Sequence, residues 1–225
     1  MTSTKTPMGA ARFPRIVFLV AGLMALIYMA PAHAATSASA SVDRFHAGLV
    51  DSLKATNGKS FSARRTALKP VITGSFDSGF MAKVASGSTW DSLNDTQRAA
   101  LTTAFRDMTI ANYASRFKSY NGQTFVVLGS EPAPNGRTLV HTQLNRKTGD
   151  PVKIDYVMAS GPKPDTWSII DVRLNGAVSE LALRRSEFAP VLRDKGFDAL
   201  MAVLKDKIAA LETAPSDVDP APGKP

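Results

Sequence analysis

From Ser41 to Gly122 apolar residues recur at intervals of three and four, the spacing that lines up one face of an α-helix. Val42, Phe45, Leu49 and Leu53 share a face, with Ser41 as its cap and Asn57-Gly58 as its stop. A second, short helix carries Leu68, Val71 and Ile72 and is interrupted by Pro70. A third carries Phe76, Phe80, Met81 and Val84 and stops at Gly87. The fourth has the strongest start signal. Asn94 suits a cap, Asp95 suits the positive end of the helix dipole, and Gln97 stands where a capping box needs it. Leu101, Ala104, Phe105, Met108 and Ala111 form one stripe of this helix, and Ile110, Tyr113, Phe117 and Tyr120 form another. A helix apolar over so wide an arc must bury more than one face.

After Asn121-Gly122 the period changes to two. Strands are predicted over Thr124–Leu128, Thr138–Leu144, Val152–Ser160 and Trp167–Leu174, separated by the turn segments 132–136, 147–151 and 161–165. These connections are too short for a crossover helix, so the four strands form an antiparallel meander. In the third strand Ile154, Tyr156 and Met158 face one way, and Lys153 and Asp155 the other. Helices return over about 179–195, with Pro190 inside, and from Phe197 to Leu211. The order helices, meander, helices predicts an α+β domain with helices wrapped over a four-stranded antiparallel sheet.

The first thirty-four residues follow a different logic. Lys5, Arg12 and Arg15 precede an unbroken apolar run from Ile16 to Met29, and Ala32-His-Ala34 follows it. The run is about fourteen residues, short of the roughly twenty that cross a bilayer. The pattern is that of a signal peptide cleaved after Ala34, with an uncleaved anchor as the alternative. The expected organisation is a leader over 1–34, one domain over 35–212, and a disordered Pro- and Asp-rich tail over 213–225.

Composition narrows the chemistry. The chain has no cysteine, which removes disulfides, thiol nucleophiles and thiolate metal sites. An exported chain without disulfides suits a bacterial periplasm. Beyond the leader only His46 and His141 remain, in different predicted elements, so no metal site is expected. Without Lys5, Arg12 and Arg15 the formal net charge of +8 falls to +5. The charge is dispersed, densest at Arg64-Arg65 and Arg184-Arg185, which argues against nucleic acid and leaves weak attraction to anionic lipid head groups.

One apparent catalytic signature fails on spacing. Ser115-x-x-Lys118, Ser119-x-Asn121 and Lys147-Thr-Gly149 occur in the order of the serine penicillin-binding enzymes. Those enzymes place a helical domain between the first and last motifs, whereas about thirty residues separate them here. No phosphate-binding glycine loop, nucleophile elbow or H-E-x-x-H is present. Asp77 is expected to serve the start of its helix. Asp171, which interrupts the apolar strand Trp167-Ser-Ile-Ile-Asp-Val172, is expected to make a structural hydrogen bond or ion pair.

Phe76-Asp-Ser-Gly-Phe-Met-Ala-Lys-Val84, Trp90, Leu93–Phe105, Tyr113-Ala-Ser-Arg-Phe117, Pro151–Tyr156, Trp167–Val172 and Arg185-Ser-Glu-Phe188 together resemble the MlaC (toluene-tolerance) family of periplasmic lipid-binding proteins. The resemblance runs from about residue 45 to 211. Within the family, Ser179–Phe188 is most similar to the branch associated with hopanoid biosynthesis. The resemblance implies a carrier without catalytic residue or cofactor. It would hold a lipid, a hopanoid by the likeness of Ser179–Phe188 with a phospholipid as the alternative, in an apolar cavity between helices and sheet. Its partners would be an inner-membrane lipid transporter and an outer-membrane component, and it would act as a monomer.

The physical reading is compatible. At roughly 0.8 kcal/mol per buried methylene, exposing two acyl chains of about sixteen carbons costs some 25 kcal/mol, so a lipid crossing water needs a cover. Candidate lining residues are Phe80, Val84, Phe105, Met108, Tyr113 and Phe117 on the helices, with Val140, Ile154, Tyr156, Met158 and Trp167 on the sheet. Periodicity alone does not separate a lined cavity from a packed core. A periplasmic hydrolase and a ligand-free transporter adaptor are the other function classes.

Overall fold

The computed structural model describes residues 1–2, 37–161 and 166–213. Residues 3–36, which include nearly all of the expected leader, residues 162–165 of an expected turn, and the tail beyond Thr213 lie outside the described residues. Six α-helices and five strands follow in the order α1 (Ala38–Ala55), α2 (Phe61–Ser75), α3 (Ser78–Ser86), α4 (Asp95–Arg116), β1 (Thr124–Ala133), β2 (Arg137–Asn145), β3 (Val152–Ser160), β4 (Trp167–Leu174), β5 (Val178–Ser179), α5 (Glu180–Lys195) and α6 (Phe197–Thr213), with a 3-10 turn over Gly87–Ser92.

The helix starts follow side-chain capping. Asn94 accepts from the Gln97 amide at 2.9 Å while the Gln97 side chain accepts from the Asn94 amide at 3.1 Å, which completes the expected capping box of α4. Asp77 accepts from the Phe80 amide and caps α3. α1 begins one turn earlier than its periodicity indicated, because Ser37 accepts from the Ala40 amide; Ser41 lies inside the helix instead. Pro70 does not interrupt α2. Pro70 and Thr66 are both exposed, so the carbonyl that loses its partner one turn back is left to water. α4 ends at Arg116 rather than near Tyr120, and Phe117 occupies its C-cap.

All five strands form one antiparallel sheet in the order β1-β2-β3-β4-β5. The expected meander is therefore present with a fifth strand, too short at two residues to leave a period in the sequence. β1 also runs five residues past its expected end. A bulge between Val127 and Gly129 leaves Leu128 without a partner in the ladder, and Pro132 is tolerated because β1 is an edge strand.

Val140, Ile154, Tyr156, Met158 and Ile169 put the inner face of the sheet under the helices. The clean alternation expected of β3 does not hold. Lys153 is exposed, but Asp155 is 8% exposed, with Oδ1 3.1 Å from His141 Nδ1, and Val157 is also buried. At the centre of the core the Phe45 ring meets Phe76, Tyr113 and Tyr156 edge-on, with centroids 5.4, 5.7 and 5.8 Å away. These four residues come from α1, the end of α2, α4 and β3.

His46 lies beside this cluster, 5% exposed and stacked on Phe125 at 4.4 Å. Its Nε2 is 3.1 Å from the Tyr156 hydroxyl, and its Nδ1 has no partner among the described residues. Burial disfavours the imidazolium and pushes the His46 pKa from 6.5 down to about 4. Below pH 6.5 the unfolded chain takes up a proton that the folded chain refuses. Stability is therefore lost as pH falls towards about 4 and levels off below it. At about 1.4 kcal/mol per pH unit, roughly 2 kcal/mol should disappear between pH 7 and pH 5. Urea denaturation at the two pH values should show this loss in the wild type and a smaller one in His46→Gln. An equal loss in both would remove His46 as its cause.

Candidate functional site

The start of α5 is fastened to the sheet by a buried carboxylate. Asp171 Oδ1 accepts from the Val172 amide at 2.8 Å and from the Leu181 amide at 3.0 Å, while Ser179 accepts from the Ala182 amide. Asp171 thus has the structural role its place in an apolar strand suggested, and Arg173 lies 3.9 Å from its other oxygen. The attachment sets Glu180 and Arg184, one turn apart, opposite α4.

Between them lies a cavity of about 60 Å³ bounded by α3, α4, β4 and α5. Phe76, Met81, Phe105 and Val172 supply its apolar lining, and Asn112, Arg116, Glu180 and Arg184 are among its polar residues. On α4 the residues Phe105, Thr109, Asn112 and Arg116 fall at spacings of four, three and four, so one helical stripe runs from apolar to cationic along the wall.

Ion pairs link the helices around this opening. Arg116 Nη2 is 3.0 Å from Glu180 Oε1, and Arg184 Nη2 is 3.7 Å from Glu180 Oε2. Arg184 Nη1 also lies 3.5 Å from Glu187 Oε2, whose other oxygen pairs with Lys207. The chain Arg116–Glu180–Arg184–Glu187–Lys207 therefore joins α4, α5 and α6 and carries one net positive charge. Partly exposed pairs of this kind contribute only about 0–1 kcal/mol each, so the chain can exchange partners at small cost. Tyr113 stands on the same wall. Its hydroxyl pKa is raised, first by burial, with Arg116 opposing and Glu180 adding to the shift.

A cleft of about 230 Å³ adjoins the opening. Met108, Lys207, Ala210 and Leu211 line it, and it shares Asn112 and Arg184 with the first cavity. A further cavity of about 220 Å³ lies where α1 and α2 cover the sheet, with Phe45, Val71, Met158, Trp167 and Ile169 in its lining. Phe45 on this side and Phe76 on the other touch edge-on, so the aromatic cluster partitions the two spaces. The backbone reinforces the partition, since Phe76 forms an isolated bridge with Ile169 and the Asp77 amide donates to the Ile169 carbonyl at 3.0 Å.

The residues expected to line a cavity are spread over these features. Phe105 and Tyr113 line the first cavity, Met108 the adjoining cleft, and Met158 and Trp167 the cavity under α1 and α2. Tyr156 stands in the aromatic partition, while Val140 and Ile154 are buried in the surrounding core. Phe80 and Val84 are half-buried against that core, and Arg137 covers the Phe80 ring at 5.2 Å. Phe117 lines a separate cavity of about 110 Å³ with Arg116, Asn121, Arg146 and Lys147. Thr109, Asn112, Arg116 and Glu180 were not anticipated. The signal for the first three was the polar stripe that continues from Phe105 along an otherwise apolar helix.

The would-be catalytic triplet is not assembled. Asn121 and Lys147 line one cavity, but Ser115 is buried at 7% exposure and is not in its lining. Among the described residues, no group of three His, Asp or Glu side chains is placed to hold a metal ion, and no helix is long and apolar enough to cross a membrane.

The likenesses to known proteins fit this geometry. A phospholipid-binding protein from Ralstonia solanacearum, solved in complex with a phospholipid, matches with a TM-score of 0.69. The match is 20% identical and covers 78% of this chain and 99% of that one. At that identity the likeness establishes the fold. The family model described as MlaC protein matches residues 43–206, and the chain belongs to the MlaC family.

Proposed function

We propose that the protein is a periplasmic lipid carrier and that its cargo is a phospholipid. The observation that carries this reading is the first cavity: an apolar interior behind an exchangeable chain of charges, in a chain of the MlaC family. The leader-like first thirty-four residues support the periplasm. Acyl chains enter past Asn112 and Arg184, and the phosphate takes over part of the pairing that Glu180 gives Arg116 and Arg184. Both spaces beside the aromatic partition are smaller than the roughly 300–1,000 Å³ of ordinary ligand sites. Loading therefore spreads the helices from the sheet and turns the rings of the partition, so that the two spaces accommodate the two chains. Met81 and Met158, one in each lining, adapt readily to such a change.

A hopanoid is the second reading, because the segment Ser179–Phe188 that resembles the hopanoid branch contributes Glu180 and Arg184 to the opening. A neutral ring slab leaves the arginines paired with carboxylate, whereas a phosphate draws one of them away. The protein binds and transfers; it is not an enzyme. An inner-membrane transporter is the expected source or recipient of the lipid, with an outer-membrane component at the other end of the route.

Organic extraction of protein purified from the periplasm, followed by mass spectrometry, should yield about one phospholipid per chain. Recovery of a hopanoid instead would select the second reading, and clean protein that also refuses added lipid would support a ligand-free adaptor. Thr109→Phe projects a ring into the first cavity without burying charge. It should retain the wild-type melting temperature and lose most of the lipid; full occupancy in the folded variant would move the acyl chains out of this cavity. Ser115→Ala should leave lipid transfer between vesicles within about twofold of wild type. A large loss in folded, monodisperse protein would instead argue for catalysis.

A further inference from the structure

The cations that are dispersed along the sequence converge at one end of the fold. Between Asp51 and Asp77 the chain has five cations and no carboxylate. The first of these, Lys54, sits over the Tyr120 ring at 5.3 Å, and the Tyr120 amide donates to Asn57 Oδ1 at 3.1 Å. These contacts join the end of α1 to the segment that follows α4. Arg64 donates to the Ala114 carbonyl at 2.9 Å and to the Lys59 carbonyl at 2.7 Å, which brings the start of α2 to the same end of α4. One residue beyond Tyr120, Asn121 shares a cavity with Arg116, Arg146 and Lys147 from the loop between β2 and β3. That loop is closed on itself by Arg146 Nη2, which donates to the Asp150 carbonyl at 2.8 Å.

We infer that this end of the molecule docks on a bilayer surface rich in anionic lipids. The inference goes beyond the carrier reading and rests on it only for its purpose. Four chain segments contribute cations, and in three of them the outermost are exposed lysines: Lys54, Lys59 and Lys147. Flexible ammonium groups around a half-buried tyrosine suit a diffuse negative surface with an interfacial layer, rather than the bidentate geometry of one acidic partner. The position is also apt. Arg116 lines both the basic cavity and the first cavity, so the docked face adjoins the opening through which a lipid would leave or enter the bilayer.

The test uses the mature chain and sedimentation with vesicles of phosphatidylcholine, with or without about 30% phosphatidylglycerol. Binding should require the anionic lipid and fall steeply as salt is raised from about 20 to 200 mM. Each cation near the surface is worth about fivefold in binding, so the double variant Lys54→Gln, Lys147→Gln should bind roughly 25-fold more weakly. Lys83→Gln with Lys195→Gln, an equal change of net charge on exposed residues of α3 and the far end of α5, should bind nearly as the wild type does. Equal loss in both pairs would reduce the effect to net charge and overturn the assignment of this surface. No preference of the wild type for anionic vesicles would overturn the membrane as its partner and leave an acidic protein as the occupant. Vesicle binding is measured apart from lipid occupancy, so a chain that carries no lipid still reports on the surface.

Discussion

Four elements meet on one ring. Phe45 of α1 touches Phe76 from the end of α2, Tyr113 of α4 and Tyr156 of β3, each edge-on. Edge-on pairs contribute about 0.5–1.5 kcal/mol each beyond the area they bury, so the cluster is a substantial part of what holds helices to sheet. It also separates the space under α1 and α2 from the space between α3, α4 and α5. Structural adhesion and cavity shape are therefore one set of contacts. Under the proposed carrier reading, a lipid that replaced part of this aromatic surface with acyl chain would exchange one apolar contact for another without unfolding the core.

The polar groups threaded through this core set its limits. The buried Tyr113 and Tyr156 hydroxyls have raised pKa values, first through burial, and His46 Nε2 lies 3.1 Å from the Tyr156 hydroxyl. Burial holds the His46 pKa down at about 4, so the imidazole is neutral in the fold near pH 7. At the opening the opposite holds. Glu180 and Glu187 are each shared between two cations on partly exposed side chains. Polar groups in the interior are costly to disturb, whereas those at the rim are cheap to rearrange. That gradient leaves the rim of the opening easier to rearrange than the hydrogen-bonded interior behind it.

Much of the fold was legible in the sequence because it depends on local signals. The capping box at Asn94, the N-cap at Asp77 and the change of period after Gly122 each act within a few residues. The misreadings have the same origin. Pro70 breaks a helix only where the lost carbonyl partner matters, and whether that carbonyl meets water is decided by the tertiary fold. Asp155 reads as a solvent-facing residue in an alternating strand, yet His141 on the neighbouring strand covers it. For the site, Phe105, Tyr113, Met108, Met158 and Trp167 were identified as apolar and inward, but their division between separate spaces depends on how α1 to α5 lie over the sheet. Glu180 lay beyond sequence reasoning because only folding sets it against Arg116 across sixty-four positions.

Charge shows the same dependence in its clearest form. Along the chain the excess of cations is modest and scattered, which by itself excludes little more than nucleic acid. Folding gathers Lys54, Lys59, Arg64, Arg116 and Lys147 around the end of α4, while Glu180 neutralises only part of what collects there. Electrostatic attraction acts over roughly a Debye length, about 8–10 Å, so it responds to this local density rather than to the overall charge. The contact required of α4 by its broad apolar surface thus has a second consequence. By bringing four segments to the helix end, it places a cluster of cations beside a cavity whose wall runs from apolar to cationic.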